Sequence, residues 1–205
     1  MNISNEYDAL VIIGAWNSAI FTQEWVSKNL LPGQSIQVEY PISGFGASLR
    51  FRVSGVSMSI VGHRLAFHVS NPTDEQFRLI YQTAIRISQI LPHTPLVSIG
   101  INHIFKCTVQ EIEDKHIFDF SDQTTMNNNG YELVSWRNQR TLHFGHHDLN
   151  LIWRLDGTDV SVEFNNDYRV SDFISFSQIF SDNIIQERKV NAIDFIRRVY
   201  NIEVI

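Results

Sequence analysis

Four side chains in the last third of the chain, His146, Asp148, Glu163 and Asp167, are of the types that hold a divalent metal or move a proton. They belong to two alternating runs, Leu149 to Leu155 and Thr158 to Phe164, joined by Asp156-Gly157. An Asp-Gly pair between alternating runs is a strong hairpin signal, and it sets the register. With Asp156-Gly157 as the loop, Trp153 faces Val160, Leu151 faces Val162 and Leu149 faces Phe164 on a core side. On the other side Arg154 meets Asp159, Asn150 meets Glu163, Asp148 meets Asn165 and His146 meets Asp167, with Ile152 the one apolar interruption.

Cross-strand neighbours lie within about 5 Å at Cβ, and side chains two apart on a strand roughly 6.8 Å apart, so this face can gather an ion for a metal-dependent hydrolase. His143 and His147 are roughly 13 Å apart along an ideal strand and share no ion without a bulge at Gly145. There is no His-Glu-x-x-His and no Cys-x-x-Cys. The same residues equally describe a solvated outer sheet face laced with cross-strand ion pairs.

Other chemistries find less support. Ser57 faces His68 across a first hairpin, a nucleophile beside a base. However, Gly55-Val56-Ser57-Met58-Ser59 is not Gly-x-Ser-x-Gly and lies within a strand. Cys107 has no cationic or helix-terminal setting in sequence and reads as a buried structural thiol. Gly44-Phe45-Gly46 lacks a third glycine, and no Walker-type Gly-Lys-Ser/Thr occurs, so no phosphate cradle and no cofactor are expected. Sheet-mediated nucleic-acid binding would use Arg50 and Arg52 with Trp136, Arg137 and Arg140. The acidic ladder of the second hairpin opposes phosphate, and a net charge of -6 makes nucleic acid a poor partner.

The elements that must position these residues follow from pattern. Ala9 to Ile13 reads as a short buried strand, Thr22 caps a helix ending at Pro32-Gly33, and Ser35 to Tyr40 alternates as a strand. Leu49 to Val69 forms a long hairpin, with a bulge at Gly55 and a turn at Gly62-His63. That register sets Ile60 against Leu65, Met58 against Phe67 and Val56 against Val69. Thr73-Asp74-Glu75-Gln76 is a capping box for a helix whose inner stripe is Phe77, Ile80, Tyr81, Ala84, Ile87 and Leu91. Pro95 to Val109 is a strand, Asn127 to Gly130 a turn or loop, and Glu187 to Tyr200 a helix.

The fold class expected is therefore α+β, a mainly antiparallel sheet built from two related hairpin–helix–strand halves. Residues 1–110 form the first half, 111–140 an irregular junction, and 141–205 the second half, which closes on a short strand from Ile202 to Ile205 and shares one sheet with the first. Hydrophobic residues make up 43% and charged residues 19%, which suits a folded domain rather than a disordered chain. One cysteine excludes an internal disulfide framework and suits a reducing compartment. No run approaches the roughly 20 apolar residues of a membrane span, and no basic leader precedes Ala9, so the expected location is the cytoplasm and no membrane is expected among the partners.

Phe173, Phe176, Ile179 and Phe180 would share one face of a helix and are the candidate partner-binding patch, although a satellite core would look the same. Three stretches, Leu65-Ala66-Phe67-His68-Val69, Val97 to Asn102 and Val162-Glu163-Phe164-Asn165, give the chain a resemblance to a group of uncharacterised bacterial proteins with duplicated strand-hairpin-helix halves. The resemblance implies the same architecture and a bacterial operon setting such as phage defence; it carries over no catalytic residue. The function expected is that of a non-enzymatic accessory or interaction subunit. Its partner is another, co-encoded chain or a second copy. The alternatives are the metal-dependent hydrolase and the nucleic-acid binder.

Overall fold

A computed structural model of the chain describes residues 1–40, 49–112, 115, 117 and 123–205. The architecture is α+β, dominated by one ten-stranded sheet. In chain order the strands are β1 (Asn2–Ile3), β2 (Glu6–Gly14), β3 (Gln37–Glu39), β4 (Arg50–Val53), β5 (Val56–Val61), β6 (Arg64–Ser70), β7 (Leu96–Thr108), β8 (Ser135–Phe144), β9 (His147–Asp156) and β10 (Asp159–Arg169). Across the sheet the order is β3-β4-β5-β6-β2-β7-β10-β9-β8, with β1 beside β7. Every pairing is antiparallel. Strand β2 lies between β6 and β7, and the strands of residues 1–110 meet those of residues 135–169 where β7 pairs with β10.

The helices are α1 (Gln23–Asn29), α2 (Asp74–Ile90), α3 (Gln123–Asn128), α4 (Phe173–Ile179) and α5 (Ile184–Tyr200). Helix α2 buries Phe77, Ile80, Ala84 and Ile87 against Tyr7, Ile12, Met58 and Phe67. Helix α5 buries Ala192 and Ile196 in a second cluster with Phe105, Trp153, Val162 and Phe164. Each large apolar side chain withdrawn from water contributes about 1.5–3 kcal/mol. Between the clusters stands His103, fully buried. Its Nε2–H donates to the Ile185 carbonyl at 2.9 Å, and its Nδ1 accepts from the Tyr7 hydroxyl at 3.1 Å, which pins α5 to the sheet centre.

The opposite face of the sheet is polar, and a row of side-chain hydrogen bonds crosses it. Thr141 Oγ1 donates to Asn150 Oδ1 (2.8 Å), Asn150 Nδ2 to Asn165 Oδ1 (2.9 Å), Asn165 Nδ2 to Asn102 Oδ1 (2.6 Å) and Asn102 Nδ2 to the Asp8 carbonyl (2.7 Å). Asp8 itself takes Arg64 and His68 as partners. Burial alone would raise the Asp8 carboxyl, but those two groups hold it below its ordinary value.

Turn chemistry explains where the structure departs from the sequence reading. Gly62-His63 is the loop of the β5–β6 hairpin, and Ile60, Met58 and Val56 face Leu65, Phe67 and Val69 as expected. Gly55 is not a bulge: Ser54 (φ 48°) and Gly55 (φ 78°) are both left-handed and form a two-residue loop between β4 and β5, the type I′ pattern. The second hairpin turns on Gly157-Thr158 rather than Asp156-Gly157. Only Gly157 (φ 59°) has positive φ, as type II′ geometry requires at the first loop position. The register therefore moves by two: Trp153 pairs with Val162, Leu151 with Phe164, Asn150 with Asn165 and Asp148 with Asp167. A shift of two preserves both faces, because the side-chain period is two.

Two elements differ more. Residues 135–144, which begin inside the stretch 111–140 read as irregular and run past its end, form the ten-residue strand β8, and Ile202 to Ile205 form no strand. Asn128 ends α3, with Asn129-Gly130 turning after it. The Gly44-Phe45-Gly46 stretch lies outside the described residues.

The helix α2 terminus tests this local account. Gln76 closes the capping box with Thr73, and its Nε2 also donates to the carbonyls of Ser54 and Ser70. A Cβ at Gly55 would stand 2.2 Å from that nitrogen, whereas one at Gly62 (φ 56°) meets nothing within 4 Å. Gly62→Ala is expected to cost about 1 kcal/mol for left-handed strain. Gly55→Ala should cost about 1–2 kcal/mol more by displacing the Gln76 hydrogen bonds. Urea denaturation of the two variants measures the difference.

Candidate functional site

The residues gathered by the sequence reading do not converge. His146 sits in the exposed Gly145-His146 loop between β8 and β9. Asp148 and Asp167 are directly opposite one another, and His143 Nδ1 lies 3.0 Å from Asp148 Oδ1. Burial raises the Asp167 carboxyl, Ser98 draws it down and the Asp148 charge raises it again, leaving it above its ordinary value. Glu163 pairs opposite Ile152 and is engaged by Arg154 at 2.7 Å. Among the described residues, no three His, Cys, Asp or Glu side chains come together as a metal-binding group.

Ser57 and His68 are register partners, but Ser57 Oγ accepts from Arg52 Nε (3.3 Å) while His68 turns its Nδ1 to Asp8 (3.1 Å). Cys107 is buried, and burial pushes its thiol up to about 11, out of the reactive range.

The proposed nucleic-acid residues divide between opposite edges. Arg50 and Arg52 lie on β4 and both ion-pair with Glu39 of β3 (3.6 and 3.2 Å). Trp136, Arg137 and Arg140 lie on β8, seven strand spacings away, about 34 Å. The residues read as a partner patch belong to the core. Phe176 and Phe180 are fully enclosed, Phe173 is buried, and Ile179 packs against the same cluster. Phe173 meets Trp16 edge-on and Phe180 stacks on Tyr81, so this face is spent on tertiary packing; Ile174, on the other side of α4, is the exposed residue.

What the structure does leave open is β8. It pairs with β9 along its length and with no other strand among the described residues. None of its residues is buried. In a two-residue hairpin the residues flanking the loop exchange both hydrogen bonds, so Phe144 and its even-numbered fellows turn their backbone groups toward β9. The Val134 carbonyl, which accepts from Gly157 N at 2.9 Å, continues that phase. The N–H and C=O groups of Ser135, Arg137, Gln139, Thr141 and His143 therefore face outward along the edge.

Beside this edge, on the helix side, lies a groove of about 320 Å³. Leu142, Phe144 and Leu149 form one wall, Phe195 and Val199 of α5 the other, with Phe164 and His147 at the base. Leu142 (38%), Phe144 (65%) and Val199 (56%) are markedly exposed for apolar residues. His147 is buried; its Nε2–H donates to Asn166 Oδ1 at 3.1 Å, and its ring stacks on Tyr168 at 4.7 Å. The Tyr168 hydroxyl accepts from Arg188 Nε at 2.6 Å. Burial, then the Arg188 charge, lowers the His147 pKa, so the ring is neutral near pH 7. These polar atoms are spent on one another and stiffen the groove base; the exposed surface offers apolar contact and free backbone hydrogen bonds.

The sequence reading missed β8 because neither of its faces is fully covered. Trp136, Leu142 and Phe144 fall on one parity, interrupted by Asn138 and Arg140. The usable signal was Gly145-His146, the same Gly-first loop chemistry as Gly62-His63. No family model and no curated protein matches the chain.

Two buried histidines give the fold a pH dependence. Burial depresses His103 to about 3, so below about 6.5 the unfolded chain takes up a proton that the folded chain refuses. Stability is complete above 6.5 and falls as pH drops toward 3, at up to about 1.4 kcal/mol per pH unit for His103. His147 acts in the same direction. Urea midpoints that decline between pH 6.5 and 4.5, above the carboxylate range, verify this; a flat profile there contradicts it.

Proposed function

We propose that the chain is a non-enzymatic interaction subunit that captures an extended segment of a protein partner along β8. One observation carries this reading: a ten-residue strand with outward-facing backbone groups lies next to an apolar groove. An added strand gains main-chain hydrogen bonds from such an edge and seats alternate side chains in the adjoining pocket. Folded proteins usually blunt their sheet edges with very short strands, charges, proline or bulges. The other edge here follows that rule, since β3 has three residues and Glu39 is held by two arginines. β8 is long and regular, without proline.

The partner sought is a co-encoded protein or a second copy. Hydrogen exchange on the purified complex is expected to slow at the Arg137, Gln139, Thr141 and His143 amides. Leu142→Asp should weaken association at least tenfold while the circular dichroism spectrum stays unchanged. A complex that leaves those amides exchanging at the free rate and protects the polar sheet face instead refutes the proposal.

A further inference from the structure

Resting on that reading, we propose that the strand taken up by β8 is β8 of a second copy, paired antiparallel about a two-fold axis through Gln139, so that two sheets become one. The support is the self-complementarity of this register.

A symmetric pairing must match helix-side residues with helix-side residues and outward-facing backbone groups with each other, which restricts the choice to two-residue steps. Centred on Gln139, the helix-side pairs are Val134 with Phe144, Trp136 with Leu142 and Asn138 with Arg140, each formed twice. Val134 is 66% exposed, almost the same as Phe144, and neither has an apolar neighbour across the edge within one chain. In the dimer each covers the other. On the polar side Gln139 meets Gln139, Arg137 meets Thr141 and Ser135 meets His143, with no like charges opposed.

Moving the axis by one residue, to Arg140, sets Arg140 against Arg140 and Asn138 against Leu142. Directly opposed like charges are destabilising. Arg140 thus disfavours that neighbouring register.

The full-length chain is expected to run as a dimer by light scattering. Gln139→Cys is expected to give a disulfide-linked dimer on oxidation, because hydrogen-bonded antiparallel pairs hold Cα atoms about 5.5 Å apart, within disulfide reach. Thr141→Cys should not, its two copies being about 14 Å apart along the strands. Buried Cys107 stays out of this chemistry. Gln139→Lys, which opposes two ammonium groups at the axis and in the monomer removes the exposed hydrogen bond that Gln139 Oε1 accepts from Arg137, should weaken the dimer at least tenfold; Gln139→Pro, which blocks one outward N–H, should do the same.

A monomer at all accessible concentrations overturns this inference, as does a dimer indifferent to both substitutions or one cross-linked through Arg140→Cys instead. The broader reading of β8 then still stands if a different protein protects the same amides, and falls with the inference if none does.

Discussion

The constraint on which the rest of the molecule depends is that β7 is paired along both of its edges. Its thirteen residues take β10 on one side, and β2 followed by β1 on the other. This joins segments from the beginning, middle and end of the chain in one sheet. His103 lies on that strand and reaches both Tyr7 of β2 and the first turn of α5. A proton there would keep the Ile185 carbonyl contact but reverse the Tyr7 hydrogen bond, and it would place a charge out of reach of solvent, which is why burial suppresses its basicity so strongly.

Pairing that begins at β7 must end somewhere, and the two ends are treated differently. Toward β3 the strands shorten and the last is only three residues long, with its outer carboxylate tied down by arginines. Toward β8 they stay long, and the final strand has the full length of its neighbour β9. Among the described residues the helix layer ends short of that edge as well, which leaves Leu142 and Phe144 exposed beside α5. Edge and groove thus have one origin, a sheet wider than the helices above it.

Much of the sheet was legible in advance, and the reasons are local. The Thr73 capping box, the Thr22 cap and the Gly62-His63 hairpin each rest on a side chain or dihedral preference that acts within a few residues. The second hairpin was read with the right faces and a register two residues out, because Asp-Gly and Gly-Thr are both acceptable loops and only the sign of φ at residue 156 separates them. The stretch from Phe173 to Phe180 was ambiguous because apolar periodicity records that a face is covered, not what covers it; here Trp16 and Tyr81 do. β8 escaped notice for the converse reason: a strand whose faces are both partly wet has no strict alternation to display.

The amide row across the polar face has one further property. Every donor along it points the same way, from Thr141 on the outermost strand through Asn150, Asn165 and Asn102 to the Asp8 carbonyl, about 19 Å across four strand spacings. Aligned dipoles of this kind polarise one another, and none can reverse without its neighbours. The row is therefore a vector rather than a set of separate contacts: its donors, and with them the positive end of the aligned dipoles, run toward β2 and close on the Asp8 carbonyl, while every amide oxygen turns toward the hydroxyl on the margin of the sheet.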